Sequence, residues 1–202
     1  MAIKVANNQS LTAITALPSA VSGGAMTLLE TQTASSSSTI SFTSNIDSTY
    51  KEYVFKFYDI HPATDNTLLT FQGNASGGSG YNETITSTTF YAYANEADDD
   101  TFLSYNAGQD QAQGTAFQKL TFDSIGNGND ECAAGTLILY DPSNTTFVKH
   151  FVATFAMYYS NDRIDVAYTA GYFNTTSAID EIQFKMSSGN IDAGVIKLYG
   201  IS

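Results

Sequence analysis

The side chains able to do acid–base, nucleophilic or metal chemistry are few. The chain has two histidines, His61 and His150, and one cysteine, Cys132, in 202 residues. A serine-type triad needs an imidazole held between a nucleophile and a carboxylate. His61 stands before Pro62 in a turn-forming stretch, and His150 lies inside the apolar run FVKHFV, where it reads as a strand residue. No Gly-x-Ser-x-Gly elbow is present. A lone cysteine excludes an intrachain disulfide and a cysteine zinc cage, so Cys132 reads as a small buried or half-buried thiol.

Carboxylates are more abundant but poorly arranged for catalysis. A glycosidase built on strands needs two acids about 5–10 Å apart beside aromatic platforms. No strand-like segment carries acids at i and i+2 or i+4 flanked by aromatics. There is no tryptophan, although 13 tyrosines leave weak sugar binding open. Asp98–Asp99–Asp100 and DSIGNGNDE (123–131) offer clustered oxygens of the kind calcium prefers. Read as an EF-hand from Asp123, the second run has Ile125 at its third position and no glutamate at its twelfth. Both runs read as solvated acidic loops. The glycine run GNASGGSG (73–80) lacks the Gly-Lys-Ser/Thr that a phosphate loop requires. These readings predict a protein that is not an enzyme and holds no cofactor or metal.

The elements that carry these residues follow a period of two from Met26 onward. In KEYVFKFYDI, Tyr53, Phe55 and Phe57 share one face, with Glu52, Lys56 and Tyr58 opposite. In IQFKM, Ile182, Phe184 and Met186 share a face, and in VIKLYGI, Ile196 and Leu198 oppose Val195, Lys197 and Tyr199. GTLILY and FVKHFVATFAMYY are apolar on both faces, which predicts central strands covered on each side. Candidate strands span 26–34, 38–44, 51–60, 66–73, 83–94, 116–123, 135–140, 147–158, 164–172, 180–186 and 195–201. Clusters of Gly, Asn, Asp and Ser separate them, and no long helix-period window stands out. The expected fold class is all-β, an antiparallel β-sandwich of about ten strands over residues 25–202. Gly200, just before the end, is suited to a bulge or a close backbone approach.

Two segments stand apart. Residues 1–24 form a candidate N-terminal arm with spaced apolar residues Ile3, Val5, Leu11, Ile14 and Leu17, closed by Pro18 and Gly23–Gly24. Such an arm is either a loose terminus or an assembly element docked on a neighbouring subunit. Residues 96–114 read as a long polar, acidic loop carrying Phe102, Leu103 and Tyr105. Those apolar side chains either pin the loop to the sandwich or contact a partner.

Composition removes several functions. Net charge is −12, with only 8 Lys plus Arg, too few to build a phosphate-neutralising face or a polybasic membrane patch. No window approaches the roughly 18 apolar residues of a membrane span. The N-terminus does not read as a secretory signal. Ser, Thr and Asn together number 60, so the five Asn-x-Ser/Thr sequons read as a by-product of composition.

Three stretches carry a resemblance: TASSSSTISFTSNIDSTYKEYVFKFYDIHPATD from Thr33, DPSNTTFVKHF from Asp141, and FNTTSAIDEIQFKMSSGNIDAGVIKLYGI from Phe173. From about Gly24 onward the chain resembles small virion proteins of tailed bacteriophages, notably marine ones. Its final pair of strands, read as a hairpin ending in LYGI, resembles the last hairpin of lectin-like jelly-roll modules in phage fibres. The resemblance implies a jelly-roll or lectin-like sandwich in a virion, assembled in the host cytoplasm, and brings no catalytic residues with it. The expected role is a capsid decoration or cement subunit that docks through its arm on major capsid or tail proteins. A homo-oligomer, with a trimer as one option, is expected. The alternative is a tail- or fibre-associated module that binds a host receptor such as a glycan.

Overall fold

The computed structural model describes residues 25–159 and 162–202. Ile3, Val5, Leu11, Ile14 and Leu17, and the arm they define, lie outside the described residues. The rest is a two-layer antiparallel sandwich. In chain order the strands are β1 Met26–Thr33, β2 Ile40–Phe42, β3 Glu52–Pro62, β4 Leu69–Ala75, β5 Ile85–Asn95, β6 Thr101–Tyr105 and β7 Ala112–Gly114. They continue with β8 Gln118–Lys119, β9 Ala133–Tyr140, β10 Lys149–Tyr159, β11 Arg163–Phe173, β12 Ile179–Met186 and β13 Ile191–Ile201. The large sheet runs β1-β13-β3-β9-β10-β11-β5-β6, with β7 also paired to β5. The small sheet runs β2-β12-β4-β8.

The period-two pattern places the core as expected. Tyr53, Phe55, Phe57, Ile196 and Leu198 point inward from the large sheet, and Ile182, Phe184 and Met186 meet them from the small one. Phe184 is the hub, with ring centroids 5.3 Å from Phe55, 5.0 Å from Phe57 and 6.1 Å from Phe42. Phe71, Phe151 and Phe173 extend the cluster at 5.0–6.0 Å from one another. Most of these contacts are edge-to-face, the arrangement the ring quadrupole favours. Gly200 is where a side chain comes close to the backbone: a Cβ there would lie 2.3 Å from the Tyr50 ring.

Four expectations change. Residues 96–114 are not a structureless loop, because TFLSY forms β6 on β5 and Ala112–Gly114 forms β7. A tight turn makes this possible: the Asn95 side-chain carbonyl accepts the backbone N–H of Asp99 and Asp100, so the chain reverses at once. Buried amides then fasten the following segment. Gln118 donates to the Gln109 carbonyl and accepts from Ser87 Oγ, while Gln109 donates to the Thr121 carbonyl. Second, the strand expected at 116–123 is only the two residues of β8, with Leu120 and Thr121 buried beyond it. Third, the last two strands are not a hairpin. β12 pairs in the small sheet and β13 in the large one, and the connection between them, with Gly189 at φ +71°, crosses from layer to layer. Fourth, β10 is central but uncovered on one side, because the small sheet lies only on the inner face.

Candidate functional site: the outer face of the large sheet

Alternation along three eleven-residue strands builds this face. In β10, Phe151, Ala153, Phe155 and Met157 go inward, leaving Val152, Thr154 and Ala156 outward. In β11 the outward set is Ile164, Val166, Tyr168, Ala170 and Tyr172, and in β5 it is Thr86, Thr88, Phe90, Ala92 and Ala94. Register aligns them in rows. Thr154, Tyr168, Phe90 and Tyr105 form one row across four strands, and Ala156, Val166, Ala92 and Leu103 form the next. None of these outward positions holds Asp, Glu, Lys or Arg. The absence of charge continues onto β9, where Ala134, Thr136 and Ile138 stand opposite β10.

The face is open. Phe90, Tyr168, Val152 and Ile164 expose 47%, 41%, 40% and 53% of their surface, values that belong to surface residues although their strands are central. Phe90 and Tyr168 stack on each other at 4.8 Å, nearly parallel. Beside them lies a hollow of about 350 Å³ walled by Thr86, Thr88, His150, Val152, Ala170 and Tyr172. His150 and Tyr172 meet edge-on at 5.8 Å across it. The rims are charged. Lys56 on β3 and Lys197 on β13 stand side by side beyond β9, and the Asp98–Asp99–Asp100 turn lies past the end of β5 and β6, beyond the Ala94–Thr101 pair.

Phe102, Leu103 and Tyr105 sit on that edge strand and are exposed. They divide between the faces. Leu103 and Tyr105 join the outer rows, while Phe102 stacks on Tyr93 on the inner side. Tyr105 donates to the Asp110 carboxylate, which ties the strand to the segment behind it.

The other candidates resolve into structural roles. Arg163 lies on the opposite, inner side of β11, gripped by the fully buried Asp165 at 2.6 and 2.8 Å and by Asp123 at 2.6 Å. Its guanidinium lies between Tyr93 and Tyr159, 4.1 and 4.4 Å from their rings. The hydrogen bonds that Arg163 donates to Asp165 raise the guanidinium's proton affinity further. Burial pushes the Asp165 carboxyl up, and Arg163 pulls it back. With its faces and its donors engaged, Arg163 works as a latch between β11 and the segment after β8. His61 lies on the end of β3, with Nε2 3.0 Å from the Gly128 carbonyl and Nδ1 3.8 Å from Asp192. Burial, with Asp59 nearby, pushes the Cys132 thiol up, so it is not poised as a thiolate. Glu131 folds back to accept the Gly128 N–H at 2.6 Å. Among the described residues no group of three or more His, Cys, Asp or Glu side chains is placed to share a metal ion. Lys149, next to His150, points inward and is fully buried, donating to the Phe147 carbonyl at 2.6 Å; burial pulls its ammonium down.

Sequence reasoning missed Val152, Tyr168 and Phe90 as surface groups. The signal is present, since FVATFAMYY is apolar on both faces, but the same pattern fits a strand covered on each side.

No family model matches the chain, and no curated protein matches it. Among solved structures, it is similar to a protein of unknown function from Bacteroides ovatus, with 3% identity and a TM-score of 0.28 over 50% of this chain. The chain spans 45% of that protein's length. A similarity of this size bears on neither fold nor function. No helix among the described residues is long and apolar enough to cross a membrane.

Proposed function

We propose that this chain is a non-enzymatic structural subunit of a tailed-phage virion, a capsid decoration or cement protein that works by docking. The carrying observation is the uncharged outer face of the large sheet, where stacked aromatics and aliphatics stand in solvent on central strands. A face of this extent is a mark of an interaction surface. The protonated thiol of Cys132 and the carbonyl-bound His61 are consistent with a role that needs no reactive group. The resemblance of the segments from Thr33, Asp141 and Phe173 supplies the virion. In this reading residues 1–24 fasten the subunit to its neighbours through Ile3, Val5, Leu11, Ile14 and Leu17.

The test is to mix purified protein with empty heads and with tails and to image labelled particles. Binding to heads is expected. Replacing Ile3, Leu11 and Ile14 together with serine should abolish it while the sandwich still melts as before. Normal binding by that variant would overturn the arm's role, and absence from both heads and tails would overturn the virion reading.

A second reading has its own observation. The hollow between His150 and Tyr172 combines aromatic edges with the hydroxyls of Thr86 and Thr88, the mixture that suits a neutral sugar. A tail- or fibre-associated module binding host polysaccharide would use it. Adsorption to host cells, lost in Tyr172→Ala, would favour that reading over the first.

A further inference from the structure

We infer that Lys56 and Lys197 form a seat for an acidic group of a glycan whose neutral sugars lie along the outer face of the large sheet. The inference rests on the reading of that face as a site for host polysaccharide and names the chemistry of the ligand.

Register brings the two lysines together. Lys197 on β13 is the direct cross-strand partner of Lys56 on β3. Alternation turns both to the outer face, where Lys197 Nζ stands 5.6 Å from the Tyr58 ring. Like charges set directly opposite each other on a sheet repel. A neighbouring carboxylate would relieve the repulsion, and the chain has 20 acidic residues against 8 basic ones. None is placed to do so. The outward neighbours of the pair are Val195 and Tyr199 on β13, Val54 and Tyr58 on β3, Thr31 on β1 and Thr136 on β9. The ion pairs among the described residues engage Lys51, His61 and Arg163 and neither of these two lysines. On a chain with net charge −12, two adjacent cations without an anion are completed by an anion from outside.

The same row describes the rest of the ligand. From the lysines it continues through Thr136, Thr154, Tyr168 and Phe90, one residue per strand, with no further charge. Tyr168 lies three strand spacings from Lys56, about 14 Å. Its stack with Phe90 is an exposed apolar platform on which a sugar ring can rest, and the two threonines offer hydroxyls on the way. A ligand fits this row if it is anionic at one point and neutral, cyclic and hydroxylated beyond it. A glycan with a carboxylate-bearing sugar among neutral ones has that pattern. A densely charged polyanion does not, because its remaining charge would face a chain that is itself acidic. An acidic peptide fits less well. The strands β3, β9, β10 and β11 are paired along both edges and have no free backbone edge for an added strand.

The test is calorimetric titration of the full chain with three probes. The first is a hyaluronan hexasaccharide, which alternates a uronate with a neutral N-acetyl sugar. The second is its methyl ester, with the same rings and no charge, and the third is a glutamate hexapeptide. The acid form should bind roughly tenfold more tightly than the ester and weaken with added salt. Lys56→Gln with Lys197→Gln should weaken that binding by roughly tenfold, while the free chain melts no lower than before because the repulsion goes with the charges. Lys119→Gln with Lys185→Gln removes two cations that flank Thr70 on the small sheet and should leave binding unchanged. No binding of the acid form, equal binding of acid and ester, or a folded variant of the Lys56–Lys197 pair that binds normally would each overturn the inference. So would tighter binding of the glutamate peptide, which would give the pair to an acidic protein segment. Adsorption to host cells without hexasaccharide binding would overturn this inference and leave the polysaccharide reading standing. Hexasaccharide binding without adsorption would support the lysine seat and overturn the host reading alone.

Discussion

The two faces of β10 follow one alternation and meet opposite surroundings. Inward, Phe151, Phe155 and Met157 are each at most 1% exposed, locked among the rings of Phe57, Phe71 and Phe173. Outward, Val152 shows 40% of its surface to solvent one residue away. Residues of similar apolarity thus do different work. The inner set stabilises the fold by leaving water, while the outer set stays in contact with it and adds little to the stability of the monomer. Hydrophobicity along a strand reports that a face is suited to burial, and the partner that buries it need not belong to the same chain.

The comparison predicts an ordering of mutational costs. Phe184→Ala removes the hub of the inner face and should cost about 3–5 kcal/mol in chemical denaturation, enough to threaten folding. A cost near zero would mean that the two layers are not packed through that ring. Arg163→Ala should cost about 3 kcal/mol or more, because it leaves Asp165 buried without its cation. The companion variant Arg163→Ala with Asp165→Leu should recover much of that loss, since the uncompensated charge goes with it. On the outer face, Val152→Thr and Phe90→Thr should each change monomer stability by less than ~0.5 kcal/mol. A cost as large as that of Phe184→Ala would show the outer face to be covered in the monomer, and the contrast would fail.

The smallest effect depends on pH. The hydrogen bond from Lys51 and that from Asn144 hold the Asp141 carboxyl below the usual carboxylate range. A depressed folded-state value contributes stability above the unfolded value of ~3.9, and that contribution is lost as pH falls through the folded value. Asp141→Asn should therefore melt slightly below the native chain at pH 6, with the gap closing as pH is lowered toward 2. A gap that widens in acid would reverse the assigned direction.

Much of the fold was legible in the residues. The alternation in EYVFKF, IQFKM and VIKLYGI placed Tyr53, Phe55, Phe184 and Leu198 in the core, because side chains on a strand point to opposite faces in turn. The edge strand at Thr101–Tyr105 was not legible, because its acidic approach looks like a loop until Asn95 is seen capping the turn. The Arg163 latch was hidden for another reason. Its partners Asp123, Tyr93 and Tyr159 come from separate segments, and a single sequence carries no sign of which will converge.

The sequence by itself determined which side chains share a face, since that depends only on the two-residue repeat of an extended backbone and on where Gly, Asn and Asp break it. Only the tertiary structure decided which of two equally apolar faces is covered. That choice depends on where the small sheet lies, a matter of long-range pairing: β12 and β13, neighbours along the chain, separate into different layers, and the outer face of β10, β11 and β5 is left open.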